Sequence, residues 1–285
     1  MMTEIYALLD VLLPFDWAHY TRLKGAIKLH TLLNFDTLLP DYMHITDGSV
    51  GDNTAAYQIE LVRGDIVVCD RGYFDTSLFS YWDSKGVFFV VRVKDNMLYE
   101  RIKELDLPDR AHPEVLIDEI VMLTGTGTST QYAKPIRRIA VYNAEHGFTM
   151  ELLTNNFKLA AGTIADLYRQ RWKVETFFRT IKQNFHIKSF IGTSRNAVEI
   201  QIWTALITIL LLAVLKQQAT YKWHFSNLVS SLRLNTFLKS TYTYGLTTLS
   251  RRRQTRKTPL RGVYYFCRNQ TTGNSSRIDR NLRDF

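Results

Sequence analysis

The chain has 285 residues, 36 Lys and Arg against 27 Asp and Glu, a formal net charge of +9 and a 46% hydrophobic share. That is enough chain for a packed core, and the basic excess leans toward a polyanionic partner, nucleic acid above all. Two cysteines, Cys69 and Cys267, exclude a disulfide framework and a Cys-based zinc site, which suits a reducing cytoplasm.

There is no basic-then-apolar signal pattern at the start. The longest apolar stretch, residues 202–215, falls short of the roughly 20 residues that a bilayer needs, so a buried helix and no membrane partner are expected. The charge is uneven. From Arg251 onward ten basic residues face two acidic ones, nearly the whole excess. That Thr-, Asn-, Ser- and Gly-rich tail lacks periodicity and reads as a disordered basic end, with DNA-backbone contact as the alternative.

Residues 5–13 form an apolar run with Asp10 inside it, a candidate first strand. Residues 25–33 alternate as a second strand and 42–46 give a third, closed by the turn pair Asp47-Gly48. A short helix is expected at 53–62. Residues 65–69 are a short strand, apolar after its first residue, of the kind buried on both faces. A helix at 74–84, ended by Gly86, leads to another buried strand at 87–93. Residues 95–156 then alternate polar and apolar, with strands at 116–123, 136–142 and 148–154. One long helix is expected at about 160–186, a second at 197–219 and a third at 223–238. The order predicts an α/β fold: a mixed sheet flanked by helices, with a β-rich insertion before the helix that carries Glu175.

Two features carry chemistry. In Cys69-Asp70-Arg71-Gly72-Tyr73 an apolar strand ends in an acid, the place where ligands gather in open α/β sheets. Taken alone, that motif reads more simply as a turn whose Asp is satisfied by backbone N–H groups. The second is the helix at 160–186. At about 100° per residue, Tyr168, Arg171, Glu175 and Lys182 fall within one narrow arc of about 60°, with Leu167, Val174, Phe178, Ile181 and Phe185 on the adjacent, sheet-facing side. Such a row suits a nucleic-acid backbone: Arg171 and Lys182 on phosphates, Tyr168 on an unpaired base. A carboxylate among those cations makes sense as a metal ligand; a solvated face with i, i+4 ion pairs is the alternative. Asp70 and Glu175 together fit phosphodiester chemistry assisted by Mg²⁺ or Mn²⁺, which wants a third carboxylate from the first strand.

From about residue 25 to 249 the sequence resembles the IS4-type insertion-sequence transposases of bacteria, which use DDE chemistry. Tyr168, Arg171, Glu175 and Lys182 match the family's Tyr-x₂-Arg-x₃-Glu-x₆-Lys signature at every spacing. Asp70-Arg71-Gly72-Tyr73 resembles its second-acid motif, and Gly25-Ala26-Ile27-Lys28-Leu29-His30 and His44-Ile45-Thr46-Asp47-Gly48 resemble its core strands.

The resemblance implies an RNase H-like fold. It implies metal-dependent cleavage at transposon ends and strand transfer into target DNA, with Tyr168, Arg171 and Lys182 on the transposon end and a homodimer as the working form. The division that follows is 1–94 and 157–249 as catalytic core, 95–156 as insertion and 250–285 as basic tail.

The sequence departs from the family in two ways. The resemblance leads one to expect a separate N-terminal DNA-binding segment, and residues 1–24 do not read as one. No Asp stands at residues 1–5, where the first acid belongs, so an N-terminally truncated chain is expected, with Asp10 as the candidate first catalytic and metal-binding acid and Glu4 as the other nearby carboxylate. The alternative function is a catalytically inactive remnant or regulator that binds DNA or a partner transposase. A host-encoded nuclease of the same fold is disfavoured by the specificity of the signature.

Overall fold

The computed structural model describes residues 2–9, 19–21, 24–37, 39–93, 97–107, 112–144, 147–185, 191–192, 194–219, 223–235 and 263–268. Eleven strands join in one mixed sheet. Its centre is β5 (Ile66–Cys69) and β6 (Phe88–Arg92), which run parallel with Cys69 opposite Val91. All four side chains of β5 are buried, as a continuous apolar run between two helical layers should be.

The pleat divides them. Ile66, Val68 and Val90 enter one core, while Val67, Cys69, Phe89 and Val91 enter the other. One layer consists of α1 (Asp52–Tyr57) and α2 (Thr76–Ser84); Leu78 of α2 is buried in that core, and Phe79 and Trp82 pack on Phe89. The other consists of α4 (Ala161–Gln170), α5 (Trp172–Phe185) and α6 (Arg195–Gln218).

On one side of the centre lie β1 (Met2–Leu9), β2 (His19–Thr21), β3 (Lys24–Asn34) and β4 (Pro40–Asp47). The β3 strand pairs antiparallel with β1, β2 and β4. Its alternation is read out directly: Ile27, Leu29 and Leu33 face the α4–α6 core, while Leu32 faces the α1–α2 core. His30 is buried, its Nε2 2.8 Å from Thr46 Oγ1. Lys28 donates to the Val50 carbonyl at 2.7 Å and lies 3.4 Å from Asp52, which pins the loop leading into α1.

On the other side β10 (Phe148–Thr154) pairs antiparallel with β6, and β9 (Ile136–Asn143), β8 (Val115–Leu123) and β7 (Tyr99–Glu104) continue the meander. The β-rich run between β6 and α4 therefore extends the central sheet. A short helix, α3 (Thr128–Gln131), bridges β8 and β9. Asp75 starts α2 by accepting from the backbone N–H groups of Ser77 and Leu78. Gly86, at φ +71°, turns the chain into β6.

Three expectations change. The single helix expected at about 160–186 is two, Ala161–Gln170 and Trp172–Phe185, because the chain turns at Arg171 between α4 and α5. The apolar stretch at 202–215 belongs to a 24-residue helix, α6, long and apolar enough by length and composition to cross a membrane. Its Ile202, Leu206, Ile209 and Leu212 are buried, and Leu212 meets Leu228 and Val229 of α7 (Phe225–Asn235). Within the tail, Val263–Arg268 is a strand, β11, parallel to β5 with Phe266 opposite Cys69 and parallel to β1 with Met2 opposite Cys267.

Candidate active site

Asp70 follows directly on β5, where the buried apolar run gives out. Its backbone is extended, and its carboxylate accepts from the N–H of Arg71 at 2.8 Å, capping a single 3₁₀ turn, Arg71–Tyr73. Tyr73 is fully buried and anchors that turn in the α1–α2 core. The turn-forming role and the strand-end position therefore coincide in one residue. Among the described residues, the contacts of this carboxylate with Arg71 and Tyr168 both fall on Oδ1, and a carboxylate has about four acceptor sites.

Glu175 stands in the first turn of α5. Leu167 on α4, and Val174, Phe178 and Ile181 on α5, are buried in the same core, so the sheet-facing stripe read from the sequence is the packed one. Arg171, in the turn between the helices, keeps right-handed helical dihedrals (φ −51°, ψ −33°), and its N–H donates to the Tyr168 carbonyl at 3.1 Å.

Tyr168 and Arg171 are only 3% and 4% exposed. The expected exposed row is thus largely turned inward, and that burial has a consequence. The Tyr168 phenol oxygen reaches Asp70 Oδ1 at 3.5 Å, the outer limit of a hydrogen bond. The Arg171 guanidinium lies over the Tyr168 ring, 5.6 Å from its centroid, and 5.0 Å from that of Trp172. Its Nη1 donates to Glu175 Oε1 at 3.2 Å, and the Glu175 side chain is 21% exposed. A continuous path of contacts, Asp70–Tyr168–Arg171–Glu175, thus joins two carboxylates 105 residues apart in sequence (175 against 70).

The backbone of Lys182 lies in α5, two turns beyond Glu175; its side chain is outside the described residues. Asp10 lies outside them as well. Glu4 is in β1, opposite Leu29 of β3. Among the described residues no three His, Cys, Asp or Glu side chains gather to hold a metal ion. Sequence reasoning missed Trp172, which is 51% exposed beside Arg171; the Arg-Trp pair at a helix start was its available signal. The donor chemistry of Asp70 and Glu175 fits a hard divalent cation. Both are carboxylates, the hard oxygen donors that Mg²⁺ and Mn²⁺ prefer.

The transposase DDE domain matches residues 15–211, more than two thirds of the chain. The chain belongs to the DDE transposase family. The matched span holds Asp70, Tyr168, Arg171, Glu175 and Lys182, while Glu4 and Asp10 precede it. The chain is 34% identical over 195 residues to a Sinorhizobium fredii protein named as a transposase, covering 68% of this chain and 54% of that one. It is 32% identical over 207 residues to a Geobacillus stearothermophilus protein named as a transposase for insertion sequence element IS5377, covering 71% and 52%. A Synechocystis protein named as a transposase for element IS4SA is 24% identical over 199 residues, 66% and 53% of the two chains. The chain spans about half the length of the curated relatives it matches. For a DDE transposase domain the architecture is the expected one: an RNase H-like mixed sheet flanked by helices.

Proposed function

We propose that this DDE transposase of IS4 type cleaves DNA at transposon ends and transfers the strand into target DNA, with Asp70 and Glu175 as catalytic, metal-binding acids. The observation that supports this reading is the contact path from Asp70, at the carboxyl end of β5, through Tyr168 and Arg171 to Glu175. When bound, Mg²⁺ or Mn²⁺ supplies the Lewis acidity that activates a water or 3′-hydroxyl and stabilises the leaving oxygen.

The residues do the rest. The Tyr168 hydroxyl orients the Asp70 carboxylate. Arg171 neutralises Glu175 and adds positive charge for phosphate when the DNA backbone arrives. Lys182 contacts phosphate farther along α5. Trp172, rather than the buried Tyr168, offers the exposed aromatic face for an unpaired base. A carboxylate of the first strand, Asp10 or Glu4, completes the acid set.

Residues 1–94 and 157–249 make the catalytic core and 95–156 the insertion. The basic segment from 250 contributes charge for DNA, and its β11 pairs into the sheet. The protein works in the cytoplasm, on DNA, as a homodimer.

Incubation of supercoiled DNA with the chain and Mn²⁺ or Mg²⁺ tests this. Nicking that requires the ion is expected. DNA binding with no nicking under either ion would move the chain to the non-catalytic alternative, a remnant or regulator.

A further inference from the structure

The strand β9 carries two consecutive buried arginines, and the first is held in an unusual way. Arg137 and Asp118 of β8 are each 6% exposed at the side chain and meet through two parallel bonds, Nε to Oδ1 at 2.8 Å and Nη2 to Oδ2 at 2.6 Å. The remaining nitrogen, Nη1, donates to two backbone carbonyls, Asn156 at 3.2 Å and Leu159 at 2.6 Å. Those carbonyls belong to the loop that launches α4. A buried ion pair needs its other donors satisfied, and here the satisfying partner is the chain leading into the helix that carries Tyr168.

A second grip lies along α4 itself. His112, in the segment before β8, packs on Gly162 so closely that a Cβ at position 162 would stand 2.7 Å from the His112 Cβ. The His112 Nδ1 accepts from the Glu114 N–H at 3.4 Å, and its Nε2 lies 3.5 Å from Asp166 Oδ1. Arg169 pairs with Glu114. Positions 162, 166 and 169 are spaced four and three apart, one stripe of the helix. The opposite stripe, with Ile164, Leu167 and Tyr168, is buried on the sheet.

We propose that the β-rich insertion is a clamp on α4: Arg137 and His112 are positioning residues that fix the axial rotation of the helix, and through it the reach of Tyr168 to Asp70 and of Arg171 to Glu175. The magnitudes favour a device of this kind. With a phenol oxygen roughly 8 Å from the helix axis, a rotation of about 20° carries it about 3 Å, enough to break a contact that stands at 3.5 Å. The activity part of this inference rests on the proposed DNA cleavage; the structural part does not.

Two variants of the full chain test it by amide hydrogen exchange, alongside kcat and KM of Mn²⁺-dependent cleavage. In Gly162→Ala the new methyl group must push His112 and α4 apart. The exchanged pair Asp118→Arg with Arg137→Asp restores opposite charges but leaves no donor for the Asn156 and Leu159 carbonyls. Alanine is the better helix former, so an α4 merely resting on the insertion would exchange more slowly after Gly162→Ala. The clamp predicts the reverse: exchange about tenfold faster through residues 163–175, with β5 and β6 within about twofold. It also predicts kcat lowered about tenfold with KM nearly unchanged.

Unchanged or slower α4 exchange in Gly162→Ala would overturn the clamp, and so would faster exchange accompanied by unaltered kcat. If the unmodified chain cleaves no DNA, the cleavage reading fails and the exchange result alone decides the clamp. The glycine variant decides it also if the exchanged pair does not fold.

Discussion

The phenol oxygen of Tyr168 lies 3.5 Å from Oδ1 of Asp70, a contact made across 98 residues of sequence. It gives Tyr168 a task inside the protein rather than on its surface. Tyr168→Phe removes only the hydroxyl and keeps the buried ring. At this length the bond contributes at the low end of the range for hydrogen bonds, so a stability loss of about 0.5 kcal/mol is expected. Tyr168→Ala empties a site in the core and is expected to cost about 3–5 kcal/mol. Urea denaturation of the two variants checks this; equal losses would mean that the ring is not packed.

Arg171 and an incoming metal ion compete for Glu175, because the guanidinium occupies Oε1 at 3.2 Å. In the absence of DNA, Arg171→Gln is therefore expected to tighten Mn²⁺ binding several-fold, about 1 kcal/mol, as the carboxylate loses a neighbouring cation. DNA binding should weaken at the same time and lose about one counterion from its salt dependence. Calorimetric titration with Mn²⁺ reads the first effect; weaker ion binding in the variant would contradict it.

His30 supplies a pH dependence. Its burial, with Lys28 and His44 adding positive charge nearby, holds its pKa at about 3, down from 6.5. Because the folded value is depressed, the unfolded chain takes up the proton first. This contribution to stability is complete above pH 6.5 and is lost as pH falls from 6.5 toward about 3. The slope is at most about 1.4 kcal/mol per pH unit. His30→Gln keeps a polar partner for Thr46 without a titrating group. Denaturation at pH 7 and pH 5 should show a smaller loss in the variant than in the wild type; equal losses would assign the dependence elsewhere.

The two faces of α6 should answer differently. Ile202→Ala opens the core and is expected to cost about 2–4 kcal/mol. Leu211, 60% exposed, should tolerate Ser within about 0.5 kcal/mol. Comparable costs at both positions would mean that the exposed face is covered in solution.

The central strands were legible because their physics is local. Residues 65–69 and 87–93 are apolar runs of strand length, and burial on both faces leaves no other use for them. The sheet-facing stripe of Leu167, Val174, Phe178 and Ile181 was legible for the same reason. The break at Arg171 was not. No Gly or Pro marks it, and its αR dihedrals let the 3.6-residue pattern run straight through. The Tyr168 contact to Asp70, and those of Arg137 to Asp118 and two carbonyls, need partners that only the folded sheet supplies. Two more elements were masked by charge. Tyr99–Glu104 is an outer strand with four charged residues among its six, and Val263–Arg268 is an apolar run set in an arginine-rich tail.

The central claim is that Asp70 and Glu175 act as one metal-dependent site on DNA, and Glu175→Gln tests it most directly. The substitution keeps the size of the side chain and its place beside Arg171 while removing the charge that a metal needs. In a Mn²⁺-dependent nicking assay, read together with duplex binding, nicking should fall about a hundredfold or more, to the same floor as Asp70→Asn. Binding should be unchanged or slightly tighter, since one anion near the phosphates is gone. Nicking by Glu175→Gln at the wild-type rate would contradict the account.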